Sequence, residues 1–185
     1  MFVELHLIQS FGPSNLNRDD TGSPKDCEFG GHRRARISSQ ALKRAIRMEP
    51  KFAQMTQVQP GQRSKWLTRP LVEKLTAAGK DDEAARRIAM EFAKAYSGKM
   101  DAKNPEKTSV LLFYSPSEVD LIAGSLLAQW DEMVTAKDSA LSKMQGDLVK
   151  AIIKETKDRT SAPDVALFGR MLADKPELNI DAACQ

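Results

Sequence analysis

Residues 29–47 read Phe29-Gly30-Gly31-His32-Arg33-Arg34-Ala35-Arg36-Ile37-Ser38-Ser39-Gln40-Ala41-Leu42-Lys43-Arg44-Ala45-Ile46-Arg47, which joins a glycine turn, an arginine strip and a basic helix. No acidic side chain follows Glu28 within it. From His32 to Arg47 it holds six Lys or Arg, while all 185 residues together carry only +3. Positive charge placed so locally points to a polyanion partner rather than to general solubility.

The helix in this stretch can be read face by face. Ser38 or Ser39 can serve as N-cap, and Glu49-Pro50 ends the run, because the residue before proline is pushed out of the helical region. Gln40, Lys43, Arg44 and Arg47 follow the i, i+3, i+4, i+7 spacing and share one side. Leu42, Ala45 and Ile46 take the other, which is expected to dock on a sheet while the polar side faces outward. The free N–H groups at the helix start suit an anion. Arg33, Arg34 and Arg36 add guanidinium forks that grip phosphate at two points. The competing readings are a solvated surface helix and a basic face for an acidic protein. A solvated helix usually gains from Glu-to-Lys pairs at i, i+4, and this one has none.

The rest of the chain frames that segment. Val3, Leu5 and Leu7 alternate with Glu4 and His6, which predicts a half-buried strand over 2–9. Residues 11–29 are rich in Gly, Pro, Ser, Asn and Asp and read as a long loop of the kind that often carries function. A helical hairpin is predicted next, with Thr68 as cap and Gly79 as stop for its first helix, and 81–96 followed by Gly98 for its second. Residues 108–114 suit a short buried strand. Ser115-Pro116-Ser117-Glu118 begins a capping-box helix to about Met133. Leu141, Met144, Leu148, Ile152 and Ile153 give an amphipathic helix over 140–157. Ser161-Ala162-Pro163-Asp164 can cap a further helix, but Val165, Leu167 and Gly169 favour a strand, which would pair with 108–114.

Several chemistries have no foothold. Cys27, Cys184, His6 and His32 are dispersed, without CxxC or HExxH spacing, so no metal site is expected. No phosphate-binding Walker loop or GxSxG elbow is present, and Gly30-Gly31 suits a turn. No cofactor is expected. No apolar run reaches the roughly 20 residues of a membrane span, and no export signal is evident, so a cytoplasmic chain with both cysteines as thiols is expected. At 41% hydrophobic residues a packed core is within reach.

Ser14-Asn15-Leu16-Asn17-Arg18-Asp19-Asp20, Phe29-Gly30-Gly31, Arg33-Arg34-Ala35-Arg36-Ile37-Ser38-Ser39-Gln40 and Leu42-Lys43-Arg44-Ala45 together resemble the CasC-type backbone subunit of the type I-E CRISPR Cascade complex. Val165-Ala166-Leu167-Phe168-Gly169-Arg170-Met171 and Asp181-Ala182-Ala183 resemble later motifs of that family in the same order. The resemblance implies an α+β chain, helix-rich overall, with a partial RRM-like (ferredoxin-like) palm carrying an inserted helical finger region. Residues 1–58 would open the palm, 59–163 form the finger region and 164–185 return to the palm. Family members are longer, so this chain would correspond to their N-terminal half, ahead of a hairpin thumb.

The same resemblance implies a function. Ser38, Gln40, Lys43 and Arg47 would contact the phosphates of a guide RNA (crRNA), and Arg18 and Lys25 would lie along the RNA or displaced DNA. Met171 would be an apolar wedge among the bases, with core filling as its plain alternative. His32 stands where the family often has Lys. Partners would be the crRNA, target DNA reached through the guide, further copies of the chain stacked head to tail, and other Cascade subunits. The Lys/Arg-Gly-Phe/Tyr signature of a base-reading RRM is missing and aromatics make up 6% of residues, which favours gripping the backbone over reading sequence. A rival reading is an RNA endonuclease using Asp19 and Asp20 beside Arg18; adjacent loop acids more often form turns or ion pairs, and a non-enzymatic chain is expected.

Overall fold

Apolar side chains spaced three and four apart build the helices that carry the core. In the computed structural model, which describes residues 2–7, 9–156, 159–172 and 175–184, the chain order begins with β1 (Asp26–Phe29), β2 (His32–Ala35), α1 (Ser39–Met48) and α2 (Pro50–Thr56). It continues through β3 (Gln62–Ser64), α3 (Thr68–Ala77), α4 (Asp82–Ser97), β4 (Leu112–Tyr114) and α5 (Pro116–Ala128). It closes with α6 (Trp130–Thr135), α7 (Asp138–Thr156), α8 (Pro163–Phe168) and a 3-10 turn at Pro176–Leu178. The chain divides into two compact units, Met1–Glu49 and Pro50–Gln185. None of the described residues in the first unit is buried.

In the second unit α4 is the central helix and packs against both α3 and α7. Ile88, Phe92 and Tyr96 bury one stripe of it, beside Ala85, Ala89 and Ala93, whose small side chains let neighbouring helices approach. Leu71 and Leu75 from α3, Ile122 and Leu126 from α5, and Leu141, Leu148 and Ile152 from α7 complete the core. Asp81 caps α4 by accepting from Ala84 N at 2.9 Å, and Gly98 ends it at φ 85°. Ser115 and Glu118 form the expected capping box at the start of α5. No described helix is long and apolar enough to cross a membrane.

The fold is helix-rich α+β, and its strands make two separate antiparallel two-stranded sheets, β1–β2 and β3–β4. A palm sheet is not among the described elements. Residues 2–7 form no strand and are exposed; alternation specifies a face but not the partner whose hydrogen bonds a strand requires. The partner of β4 is β3, with Arg63 opposite Phe113, and not residues 165–169, of which 165–168 belong to α8 (Pro163–Phe168). Pro163 in the first turn presets helical φ, and Gly169 ends the helix at φ 75°. The loop expected over 11–29 gives way to β1 at Asp26.

One helix start, one helix length and one helix face also differ from expectation. Thr68 is the first residue of α3 and not its cap; its hydroxyl donates to Glu106 O at 2.6 Å. The helix expected to reach Met133 breaks at Gln129, where φ −115° and ψ 19° leave the helical region, and α6 restarts so that Trp130 and Met133 enter the core. In α1 the side bearing Leu42 and Ile46 is not docked on a sheet: these residues are 52% and 43% exposed and the helix buries nothing.

One buried ion pair ties the second unit together across long sequence distances. Arg170, 5% exposed, donates to Glu118 Oε1 at 2.8 Å, Phe113 O at 2.9 Å and Leu178 O at 2.8 Å. Glu118 accepts from Ser115 N at 2.7 Å through its other oxygen. The guanidinium therefore links β4, the start of α5 and the turn before residue 180. Removing one partner strands the other as a buried charge, so Arg170→Met should cost about 3–5 kcal/mol in urea unfolding. Arg170→Met with Glu118→Gln should recover most of that loss, because no buried charge remains.

Tyr96 gives a pH signature. Burial pushes its phenol up to about 12, with the nearby Glu118 carboxylate adding to the shift and Arg170 opposing it. The folded state then holds a proton that the unfolded state releases near pH 10, so this stability is complete below pH 10 and is lost as pH rises toward 12. At two pH units the loss approaches about 3 kcal/mol. Unfolding free energy should fall more steeply between pH 10 and 12 in the native chain than in Tyr96→Phe.

Candidate nucleic-acid interface

The first unit is held by polar contacts rather than by a core. Asp19 accepts from Thr21 N and Ser23 N, both at 2.9 Å, and from the Thr21 hydroxyl at 2.7 Å. The Thr21 hydroxyl bond is the main reason its carboxyl sits below the usual carboxylate range, helped by the Ser23 and Thr21 amides and by Lys25. Asp19 is thus the organiser of a tight turn. Arg18 closes the same turn, its Nη1 donating to Gly22 O at 2.6 Å.

Asn17 stitches this loop to both ends of the β1–β2 hairpin. Its backbone oxygen accepts from Lys25 N at 2.7 Å, and its side-chain oxygen accepts from Ser38 N at 2.8 Å. Arg36 N donates to Lys25 O at 2.9 Å. The backbones of Lys25, Arg36 and Ser38 are therefore brought together along the exit of β2. Asn17 was not among the expected site residues; an Asn inside a long loop, able to replace backbone partners, was the available signal.

Gly30 and Gly31, at φ 63° and 73°, make the two-residue turn between β1 and β2. Consecutive left-handed residues match the twist of a hairpin, and glycine adopts them without strain. The register sets Glu28 opposite Arg33 and Cys27 opposite Arg34. Arg33 pairs with Asp26, whose Oδ2 accepts from its Nε at 2.6 Å. The run that is free of acids along the sequence is therefore partly neutralised in space, on one face of the hairpin. Arg34 Nε donates to Phe29 O at 3.0 Å. Gly30-Gly31 between two short runs was the hairpin signal that would have located Asp26.

Ser38 is the N-cap of α1, with its Oγ accepting from Ala41 N at 3.2 Å. The cap engages one acceptor position of the hydroxyl and leaves its proton to donate. The first turn has no acid and the last turn holds Arg47. Gln40 and Arg44 are exposed, whereas Lys43 and Arg47 are half-buried. The cations of the helix row, the N-terminal amides of α1 and Arg36 thus occur in one unit, a combination that suits phosphate.

Met171 belongs to the second unit. It is 84% exposed, so it does not fill the core. Gly169 precedes it at φ 75°, where an added Cβ would stand 2.8 Å from Ile180 O. Arg170 and Ile180 bridge as an antiparallel pair, and Leu172 N donates to Asn179 Oδ1 at 2.7 Å. The methionine is therefore displayed beside a firmly held turn. Asp20 is exposed beside the Asp19 turn.

No curated protein matches the chain. Among solved structures, a chain of a "CRISPR RNA-guided surveillance complex" is similar at TM-score 0.65 and 27% identity, covering 91% of this chain and 52% of that one. A chain of a "CRISPR RNA-guided surveillance complex, pre-nicking" is similar at TM-score 0.63 and 28% identity, covering 92% and 47% respectively. The chain spans about half the length of these solved relatives. The family described as CT1975-like protein (Cas_CT1975) matches residues 3–185, which are nearly the whole sequence, and the chain belongs to that family.

Proposed function

We propose that this chain is a component of a CRISPR RNA-guided surveillance complex and acts there as a CasC-type backbone subunit that grips the crRNA through its phosphates. The observation that carries the reading is the capped, acid-free start of α1, with Gln40, Lys43, Arg44 and Arg47 on one row and the Lys25 and Arg36 backbones sewn beside Ser38. Phosphate contacts position a strand without selecting its sequence, which leaves specificity to base pairing by the guide. The family membership and the likeness to chains of surveillance complexes support it.

In this reading β1–β2 is part of an RRM-like palm, and residues 59–163, with β3–β4 and α3 to α7, form its mainly helical finger region. Met171 is the apolar wedge, since its exposure leaves it able to reach bases. Copies stack head to tail along the guide, and guide length limits their number. Target DNA is reached through the guide, and other Cascade subunits close the assembly. The chain is read as a binding protein rather than an RNA endonuclease, because the Asp19 carboxylate is occupied in holding its own turn.

Titrating mixed-sequence single-stranded RNA across salt concentrations tests the grip. Each neutralised phosphate contributes a slope of about −0.7 in log affinity against log salt. Lys43→Ala with Arg44→Ala should shallow that slope by about 1.4 in total, and Arg36→Ala by about 0.7. Arg33→Ala should change it least, because Asp26 already compensates that charge. A flat salt dependence, or a larger effect from Arg33 than from Arg36, would sink the proposal.

The non-enzymatic reading has its own measurement. Assembled complex incubated with labelled complementary RNA and Mg²⁺ should leave it intact, with Asp20→Ala indistinguishable from the native chain. Cleavage that disappears in Asp20→Ala would establish the endonuclease instead.

A further inference from the structure

Several cations of the second unit are matched by acids: Arg86 pairs with Asp82 and Glu106, Arg87 with Asp138, and Lys74 with Asp120. One surface departs from that pattern. Around the half-buried Trp66, the guanidinium carbon of Arg69 lies 3.4 Å from the ring centroid and Lys107 Nζ lies 4.5 Å from it. Lys65 reaches the same surface, its charge acting on Asp101, and the backbone of Lys103 adjoins it in the loop that carries Lys107. Thr108 N donates to Lys65 O at 2.9 Å, and Asp101 joins the segment through Asp101 N to Lys107 O at 2.8 Å and Lys103 N to Asp101 Oδ1 at 2.9 Å.

These four cations make no ion pair among the described residues. Glu106 is committed to Arg86 at 2.9 Å, and Glu73, four residues after Arg69, forms no ion pair with it. Asp101 is the acid of the surface, and its carboxylate is turned to the Lys103 and Asn104 amides. Those amides, Lys103 first, hold its carboxyl below the usual range, with the charges of Lys65 and Lys107 adding to the effect. Cations gathered without partners repel one another, and an external polyanion relieves that cost.

The geometry also says how such a partner binds. Stacking on the indole fixes the Arg69 plane while leaving its N–H edge available. The two ring distances hold the Arg69 and Lys107 charges within about 8 Å of each other beside one indole, so they act together as a local positive field that favours a phosphate. Trp66 is already covered by Arg69, so it is not a platform for a base. None of the patch residues is a large exposed apolar side chain, and protein interfaces draw their binding energy from such anchors.

We propose that the Trp66 surface, with Lys65, Arg69, Lys103 and Lys107, is a second contact for a nucleic-acid phosphate backbone, separate from the one on α1. It stands on the second unit alone and does not depend on the reading of α1. The chain has two tryptophans, Trp66 and Trp130, so Trp130→Phe makes Trp66 the only reporter. Mixed-sequence duplex DNA and single-stranded RNA are titrated in separate arms, and the arm that responds identifies the nucleic acid.

In the responding arm Trp66 emission should change on binding. Arg69→Ala with Lys107→Ala should abolish that change and shallow the salt slope by about 1.8 for duplex or 1.4 for single strands. Lys43→Ala with Arg44→Ala should leave the emission change in place, which separates failure here from failure on α1. The salt slopes are read with labelled nucleic acid on a chain that keeps Trp130, so they stand even where Trp130→Phe unfolds the reporter. An unchanged slope in both arms after Arg69→Ala with Lys107→Ala overturns the proposal. Displacement of the nucleic acid by polyglutamate at equal charge concentration does so as well, in favour of an acidic protein.

Discussion

The Arg170–Glu118 pair is the contact on which the arrangement of the second unit depends. A buried ion pair is a weak source of net stability, since desolvating both charges offsets most of their attraction. It is a strong source of definition, because both groups must be satisfied in one geometry. Arg170 meets Phe113 O in β4, Glu118 in α5 and Leu178 O in the following turn. Through Ser115 N the same carboxylate finishes the cap of α5. One charged interaction thus sets the start of a helix, the edge of a sheet and the turn beside the exposed Met171.

The two units obtain their order by different physics. In the second, α4 lies among α3 and α7 with its alanines and aromatics buried, and Phe92 and Tyr96 stack with ring centroids 5.7 Å apart. Burial there stabilises the helices beyond what propensity provides. In the first, no described residue is buried, and Asp19, Asn17 and Ser38 replace packing with hydrogen bonds. A surface built this way keeps its cations and amides at the solvent boundary, where phosphate can reach them. The apolar side of α1 stays exposed for the same reason: a two-stranded ribbon offers it no face to cover.

Charge has to be counted in space. Residues 29–47 contain no acid after the phenylalanine turn begins, yet β1 returns Asp26 and Glu28 to the face of Arg33. The opposite happens at Trp66, where Arg69 and Lys107 meet at one indole while Glu106 is paired with Arg86 and the Asp101 carboxylate is turned to backbone amides. The cations that look most exposed in the sequence are therefore not uniformly the ones available to a ligand.

Local chemistry was legible in the sequence wherever a few adjacent residues decide the outcome. Asp81 and Gly98 bounding α4, the Ser115–Glu118 box, the serine cap and Glu49-Pro50 limit of α1, and the stripe of α7 all depend on contacts within a few residues. The grouping of Gln40, Lys43, Arg44 and Arg47 on one row comes from helical spacing in the same way. The tertiary structure decided what distant segments do to one another. Whether 165–169 is helix or strand, which segment pairs with β4, that Asp26 compensates Arg33, and that Arg170 is buried against Glu118 depend on partners between 7 and 52 residues away or more. A short apolar run or a lone arginine carries no record of its partner, because strand pairing and buried charge compensation are settled by where the whole chain packs.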